Sequence, residues 1–280
     1  METKAKRGFC LGLPYAKTII RTTLYRNKPH IMRNNWTIEQ DTIALYLYCI
    51  IPFSKVTNSN PLIAKYAPII GRSITALKMK IGNFGSLDSN LASKGIVGLG
   101  NISRTDSEVW NNYYGHWDML LDDVKKITGS AEETEFSSEG LPAGEETMVM
   151  TKRRVNQSFF RQMVISSYEQ KCCISGVQHP CLLHACHIVP WSEDCSLRTN
   201  PTNGLCLNPF FHSAYDNFLM SITQDYEISI SDTLIRSIAS EQFANYVQGL
   251  KRHKVLLPSK FMPSRQLLDI HHQTYLSKAL

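Results

Sequence analysis

Two short apolar runs followed by a change of hydrophobic period constrain the fold of this chain more than any other feature. Residues 181–189 have the length and composition of a strand that ends before Pro190. An Asn-Gly pair, which favours a tight hairpin turn, precedes the apolar residues 205–207. From Pro209 the apolar residues recur at helical spacing. The sequence therefore predicts a hairpin of two strands packed on a short helix.

Four polar residues fall inside this predicted unit at positions that would gather them around one cavity. His187 lies in the first strand, Asn203 stands at the turn, and His212 and Asp216 lie four residues apart on one side of the helix. Imidazole titrates near neutrality, so His187 is a candidate general base that takes a proton from water. The side chains of His212 and Asp216 offer nitrogen and oxygen donors to a divalent ion.

Asn203 has two candidate roles that the sequence does not separate. Its side-chain oxygen could bind the ion, or its amide could hold the loop so that His187 points correctly. The second role is compatible with a turn in which Gly204 supplies the left-handed backbone conformation.

The motif formed by these residues resembles that of the HNH nucleases, in the subgroup often found in predicted bacterial restriction endonucleases. His187 lies within ACHIVPW, Asn203 within RTNPTNGLCLN, and His212 within FHSAYD. The resemblance covers residues 156–222 and extends more loosely to Phe261. It implies a ββα-metal fold with His187 as the general base, Asn203 as the middle residue and His212 as the ligand on the helix.

The residue before the base departs from the pattern of the wider superfamily. Many members carry an acidic residue or a second histidine there as a further ligand, whereas this chain has Cys186. Cys186 is a candidate thiolate ligand, although a free cysteine is more often a small buried hydrophobe. His184 lies on the opposite face of the strand from His187 and is expected to pack or to contact DNA rather than to act in catalysis.

The cysteines and the apolar segments exclude several other classes of protein. The chain has eight cysteines and no pair separated by two residues, which argues against a structural zinc site. No secretory signal is visible at the N-terminus, so we expect reduced thiols and a cytoplasmic location. Residues 42–53, the longest apolar stretch, are too few to cross a bilayer, so we expect a soluble protein without a membrane partner.

Charge is distributed unevenly and divides the chain. Residues 1–127 contain 17 Lys and Arg against 9 Asp and Glu, whereas residues 128–150 contain 6 acidic residues and no basic ones. Such an acidic, apolar-poor stretch is typical of a flexible linker. We therefore predict a basic extension at 1–33, a helical domain at 34–127, a linker at 128–150 and the nuclease domain at 151–280. Two interpretations of residues 1–31 stay open, namely a phosphate-binding arm and, slightly favoured, an extension upstream of a start at Met32.

The predicted helical domain contains a pattern that suits DNA binding. Thr37 and Gln40 form a capping signal for a first helix that ends before Pro52, and Asn60 and Ser73 begin two further helices. A helix-turn-helix would place the third helix in a major groove, although three-helix packing with a solvated basic edge gives the same pattern. The candidate DNA contacts are Arg72, Lys78 and Lys80. The region is similar to a helical domain often fused ahead of such nuclease modules.

Together these features predict an α+β protein that cleaves double-stranded DNA. The expected cofactor is Mg²⁺ or Mn²⁺, with Zn²⁺ or Ni²⁺ as alternatives, and cleavage of two strands by a one-site subunit would favour a homodimer. A restriction or phage-defence role is implied by the resemblance alone. Two alternatives stay open: a DNA-binding regulatory protein with an inactive nuclease module, and an interaction module stapled by zinc.

Overall fold

A series of helices precedes two small antiparallel sheets in this α+β chain. The computed structural model describes residues 35–93, 102–129, 145–190, 194 and 197–279. The first half contains α1 (Ile38–Ile50), α2 (Pro61–Ile69), α3 (Ile74–Leu87), α4 (Ser89–Ser93), α5 (Arg104–Tyr113) and α6 (Trp117–Thr128). The second half contains α7 (Glu145–Ser167), β1 (His184–His187), β2 (Gly204–Leu207), α8 (Pro209–Asp216), β3 (Met220–Ile222), β4 (Ile228–Ile230), α9 (Asp232–Ser237), α10 (Glu241–Gly249) and α11 (Arg265–Ala279).

Helix α1 is the central element of the first half. The Thr37 hydroxyl accepts a hydrogen bond from the Gln40 amide, and the Gln40 side chain accepts one from the Thr37 amide, which confirms the predicted capping box. Every residue from 41 to 50 is buried, because α3, α5, α6 and α7 pack around this helix. A helix that is buried on all sides explains why the apolar residues of this segment follow helical spacing only in part.

The C-terminal end of α1 is buried and is capped by distant side chains. The last carbonyls of a helix lack partners within the helix. The Lys260 ammonium donates hydrogen bonds to the carbonyls of Tyr48, Cys49 and Ile51, and the Ser166 hydroxyl donates a second one to Cys49 at 2.6 Å. Lys260 is fully buried, so residues from the second half of the chain complete a helix of the first half.

Helix α7 belongs to two hydrophobic cores. Val155, Phe159 and Met163 pack in the core around α1, whereas Phe160 and Val164 pack in a second core around β1, β2 and α8. Residues Trp36–Leu280 accordingly form one compact unit. Helix α7 begins at Glu145, within the predicted linker, while residues 130–144 and the predicted extension up to residue 33 lie outside the described residues. The predicted domain boundaries stay predictions.

Strands β1 and β2 pair antiparallel and pack with α8, as the ββα prediction requires. His187 lies opposite Gly204, and Cys186 lies opposite Leu205. The predicted tight turn at Asn203-Gly204 is wrong, because Pro201–Asn203 form a short 3₁₀ helix and Gly204 begins β2 in an extended conformation, with φ at −128°.

Gly204 serves the packing of α7 rather than a turn. A Cβ atom at this position would lie 2.3 Å from Cγ2 of Val164 and 3.1 Å from Cζ of Phe160. The absence of a side chain therefore lets α7 approach β2 closely.

The helices predicted for the first half are present, whereas the helix-turn-helix stays a prediction. Gly71 joins α2 to α3 with a φ of +65°, a left-handed conformation that suits glycine. The third helix continues through Gly82 and ends at Leu87. Within the described residues, no helix combines the length and apolar composition that crossing a bilayer requires.

Candidate active site

A cavity of about 640 Å³ lies between α7, β1, α8 and α11 and brings together three of the predicted site residues. His187 reaches it from β1, and His212 and Asp216 reach it from α8. Arg161 lines the same cavity from α7. The convergence of the imidazole with the helix-borne pair, which the sequence predicted, is therefore present.

Cys186, His212 and Asp216 form a group of metal donors beside this cavity. Their donor atoms all lie within 4.8 Å of one another. Nε2 of His212 is 3.2 Å from Oδ2 of Asp216, and Sγ of Cys186 is 3.5 Å from Oδ1 of Asp216. Atoms that share an ion at roughly 2.0–2.3 Å stand roughly 3–4 Å apart, so the separations fit a common ion. Sulfur and nitrogen donors favour transition-metal ions over Mg²⁺.

Local structure explains how these donors meet. The Asn208 side chain accepts a hydrogen bond from the Phe211 amide at 2.9 Å and begins α8, which places His212 and Asp216 one turn apart on the cavity side. Cys186 lies on strand β1, and its side chain is fully buried. Burial and the neighbouring Asp216 raise the pKa of the Cys186 thiol well above its ordinary value, so without a cation the thiol donates to that carboxylate. A coordinating cation favours the thiolate instead.

The environment of His187 suits a proton acceptor. Its ring stacks on Phe160, with the centroids 3.8 Å apart and the planes inclined by 8°. Nε2 lies 3.1 Å from the Arg198 carbonyl, which can only accept a hydrogen bond, so this nitrogen carries the proton of the neutral ring. Burial lowers the pKa of His187 below its ordinary value. The ring is therefore neutral at pH 7, with the lone pair on Nδ1.

Asn203 holds the loop that follows β1. Its side chain is buried, its Oδ1 accepts a hydrogen bond from the Val189 amide at 2.8 Å, and its Nδ2 donates to the Val189 carbonyl at 3.0 Å. Nδ2 also lies 3.4 Å from the Leu197 carbonyl. Because the oxygen of Asn203 accepts a hydrogen bond from the backbone, the geometry supports the loop-holding role, and the metal-binding role stays a prediction.

Two residues of the cavity have contacts there that the sequence did not predict. His184, expected to pack or to contact DNA, has its Nδ1 3.0 Å from Nδ1 of His212. The signal for it was its spacing of two residues from Cys186, which puts both side chains on one face of a strand. Arg161 is exposed at the cavity wall and lies on α7, which precedes β1, and no local pattern indicated it.

The three predicted DNA contacts, on α3 and just before it, lie in different environments. The assignment of Lys80 is wrong, because its side chain is buried and its ammonium forms ion pairs with Asp41 and Asp106. Arg72 donates from Nε and Nη2 to Oε1 of Gln40, at 3.0 and 2.7 Å. Lys78 is half-buried and stays a candidate contact.

Comparison with known families identifies the segment of the chain that carries most of the site. Residues 172–223 match the model of a family described as HNH endonuclease. The matched segment contains the donor group, His187 and Asn203, so the resemblance found in the motif is confirmed, and it indicates nuclease activity. No curated protein matches the chain.

Proposed function

We propose, on the premise that residues 172–223 carry an HNH endonuclease motif, that this protein is a metal-dependent endonuclease that hydrolyses phosphodiester bonds in double-stranded DNA. The observation that supports this proposal best is the presence of a neutral imidazole in the cavity and of a three-donor group beside it. The family implies the general chemistry, and the donors of this chain suit a divalent transition-metal ion.

The side chains of the cavity have complementary tasks in this reaction. A divalent ion held by Cys186, His212 and Asp216 would supply positive charge to the phosphate and to the leaving 3′ oxygen. His187 accepts the proton of the attacking water on the ring nitrogen that does not donate to Arg198. Arg161, across the cavity, offers N–H donors that can bind a phosphate oxygen.

The decisive experiment compares cleavage by the wild-type protein and by His187→Ala. Supercoiled plasmid is incubated with each protein and with Mn²⁺, Zn²⁺, Ni²⁺ or Mg²⁺ in turn. We expect cleavage by the wild type and a loss of about 10²–10⁴-fold in the variant, which is the range that general base catalysis contributes. His253→Ala is the matched control, because His253 is exposed and lies outside the cavity.

Two outcomes would contradict the proposal. Equal cleavage by the wild type and by His187→Ala would show that His187 is not the general base. DNA binding without cleavage under every metal, in both proteins alike, would favour the alternative of a regulatory protein with an inactive nuclease module.

A restriction or phage-defence role follows from the subgroup that the motif resembles. We expect expression of the wild-type protein to lower the plating efficiency of phage, and expression of His187→Ala to leave it unchanged. Equal plating efficiency with both proteins, at equal expression, would refute the role in defence while leaving the nuclease chemistry intact.

The mode of cleavage and the binding of DNA by the helical region can be tested separately. A one-site subunit that linearises plasmid without accumulating nicked circles would act as a homodimer, which sedimentation can detect. If the helical region binds the duplex through α3, Lys78→Ala should lower the affinity for DNA. The affinity of this variant should also change less with salt concentration than that of the wild type. Lys126→Ala, at an exposed position on α6, is the control.

A further inference from the structure

The two ring nitrogens of His212 face different partners. Nε2 is 3.2 Å from Oδ2 of Asp216, on the side of the metal donors. Nδ1 is 3.0 Å from Nδ1 of His184, and the two imidazole rings meet edge to face, with centroids 5.2 Å apart and planes at 86°. His212 therefore lies between the donor group and a second histidine.

The hydrogen bond between the two histidines restricts where the protons reside. Two ring nitrogens at 3.0 Å share one proton, so one of them donates and the other accepts. If Nε2 of His212 is to bind an ion, it must present its lone pair, and the ring proton must then lie on Nδ1. That proton can only be donated to Nδ1 of His184, which in turn keeps its own proton on Nε2.

We propose that His184 is a positioning residue that fixes the tautomer and the ring orientation of His212, so that Nε2 of His212 presents its lone pair to the ion shared with Cys186 and Asp216. The inference rests on the proposed function only in requiring that the site binds an ion. Histidine ligands commonly donate their other ring N–H to a carboxylate, a carbonyl or a water molecule, and here an imidazole is the acceptor.

The fold holds His184 in place for this task. His184 and Cys186 share one face of β1, and Ala185 between them is opposite Cys206 in the register with β2. The side chain of His184 is half-buried at the wall of the cavity. His184 lies outside the donor group of Cys186, His212 and Asp216, and its Nδ1 faces the ring nitrogen of His212 that points away from Asp216.

The test measures Zn²⁺ binding to the full-length protein by competition with a chromophoric chelator. His184→Ala removes the acceptor, and we expect its Kd for Zn²⁺ to rise about 10–100-fold, the usual effect of losing such a partner. His184→Asn keeps an acceptor oxygen near the position of Nδ1 and should recover most of that loss. His179→Ala, at an exposed position before β1, should bind Zn²⁺ like the wild type.

A spectroscopic measurement separates positioning from a general effect on the fold. In ¹⁵N-labelled protein saturated with Zn²⁺, the ring nitrogens of His212 should report a single form in the wild type and in His184→Asn, with Nε2 bound to the ion and the proton on Nδ1. In His184→Ala the same nitrogens should report a mixture. Circular dichroism and thermal unfolding of each variant check that the fold is retained.

Several results would overturn the inference. An unchanged Kd and an unchanged tautomer in His184→Ala would show that His184 has no role in the site. A Kd for His184→Asn as weak as for His184→Ala, with a Co²⁺ absorption spectrum that shows the loss of one nitrogen ligand, would make His184 a direct ligand. These measurements use no DNA, so they can fail while cleavage is observed, or succeed while it is not.

Discussion

Asn203→Ala separates the two roles of this residue more sharply than any other substitution in the chain. In the folded protein the Asn203 side chain joins Val189, two residues after His187, to the connection that leads into β2. It also approaches the Leu197 carbonyl, next to the Arg198 carbonyl that accepts a hydrogen bond from His187. Removing the amide therefore releases both backbone segments that orient the base.

The size of the effect follows from the groups left without partners. The variant leaves the N–H and the carbonyl of Val189 without the side chain that they bind, in a site where Asn203 itself is almost completely buried. Each buried unsatisfied group costs about 1–3 kcal/mol. A water molecule that enters the space would form hydrogen bonds with some of these groups and reduce the cost, so we expect the free energy of unfolding to fall by about 3 kcal/mol.

Three measurements on the same protein make the test. Urea unfolding gives the loss of stability, plasmid cleavage gives the loss of activity, and chelator competition gives the Kd for Zn²⁺. We expect cleavage to fall by up to about 10²-fold, as misplaced catalytic groups do, and metal affinity to stay within about threefold of the wild type. Asn217→Ala is the control, because the side chain of this exposed asparagine donates to the Ser213 carbonyl of the adjoining helix, and its loss should change stability by less than about 0.5 kcal/mol.

The opposite pattern would refute the reasoning. If Asn203→Ala unfolds at the same urea concentration as the wild type but loses affinity for Zn²⁺, then the side chain binds the ion and the loop holds itself in place. Wild-type stability combined with wild-type cleavage would show that the residue serves neither role.

Three further predictions concern residues that support the site from outside it. Gly204→Ala introduces a Cβ atom 2.3 Å from Cγ2 of Val164, so α7 must move from β2, and we expect a loss of about 1–3 kcal/mol in urea unfolding. Lys260→Met leaves carbonyls at the end of α1 without a donor and should destabilise the protein by about 2–4 kcal/mol in the same assay. His271 has its pKa lowered to about 4 by burial, so the unfolded chain binds its proton more readily, and stability is lost as the pH falls from 6.5 towards 4. Between pH 7 and pH 5 the wild type should therefore lose about 2 kcal/mol more than His271→Gln does.

Matched controls are available for these variants. Gly82→Ala lies within α3, where an added Cβ meets nothing within 4 Å, so it should stabilise the helix slightly by about 0.5–1 kcal/mol. Lys126→Met removes a lysine whose side chain is 76% exposed and should change stability little. A loss in Gly82→Ala as large as in Gly204→Ala would contradict the steric explanation, and equal pH dependence of the wild type and His271→Gln would contradict the buried neutral histidine.

Patterns confined to a few neighbouring residues were sufficient to predict much of the fold and the centre of the site. The capping box of Thr37 and Gln40 and the pairing of His212 with Asp216 are present as predicted, because both depend only on the geometry of one helical turn. The motif that carries His187 also led to the correct family for residues 172–223.

Other assignments failed because the deciding partner is distant in sequence. An Asn-Gly pair has strong turn chemistry, but Gly204 is extended because it pairs with His187 in the sheet, and its missing side chain leaves space for α7, about forty residues earlier. Lys80 follows the pattern of a solvated basic edge, yet its ammonium is buried and forms ion pairs with Asp41 and Asp106.

The sequence by itself determined the chemical types at the site and their local spacing, because helical and strand periods place side chains on a given face. Only the tertiary structure decided what each of those side chains contacts. It assigned Asn203 to the backbone of the loop and His184 to the ring of His212, since these contacts form only when β1, the following loop and α8 pack together.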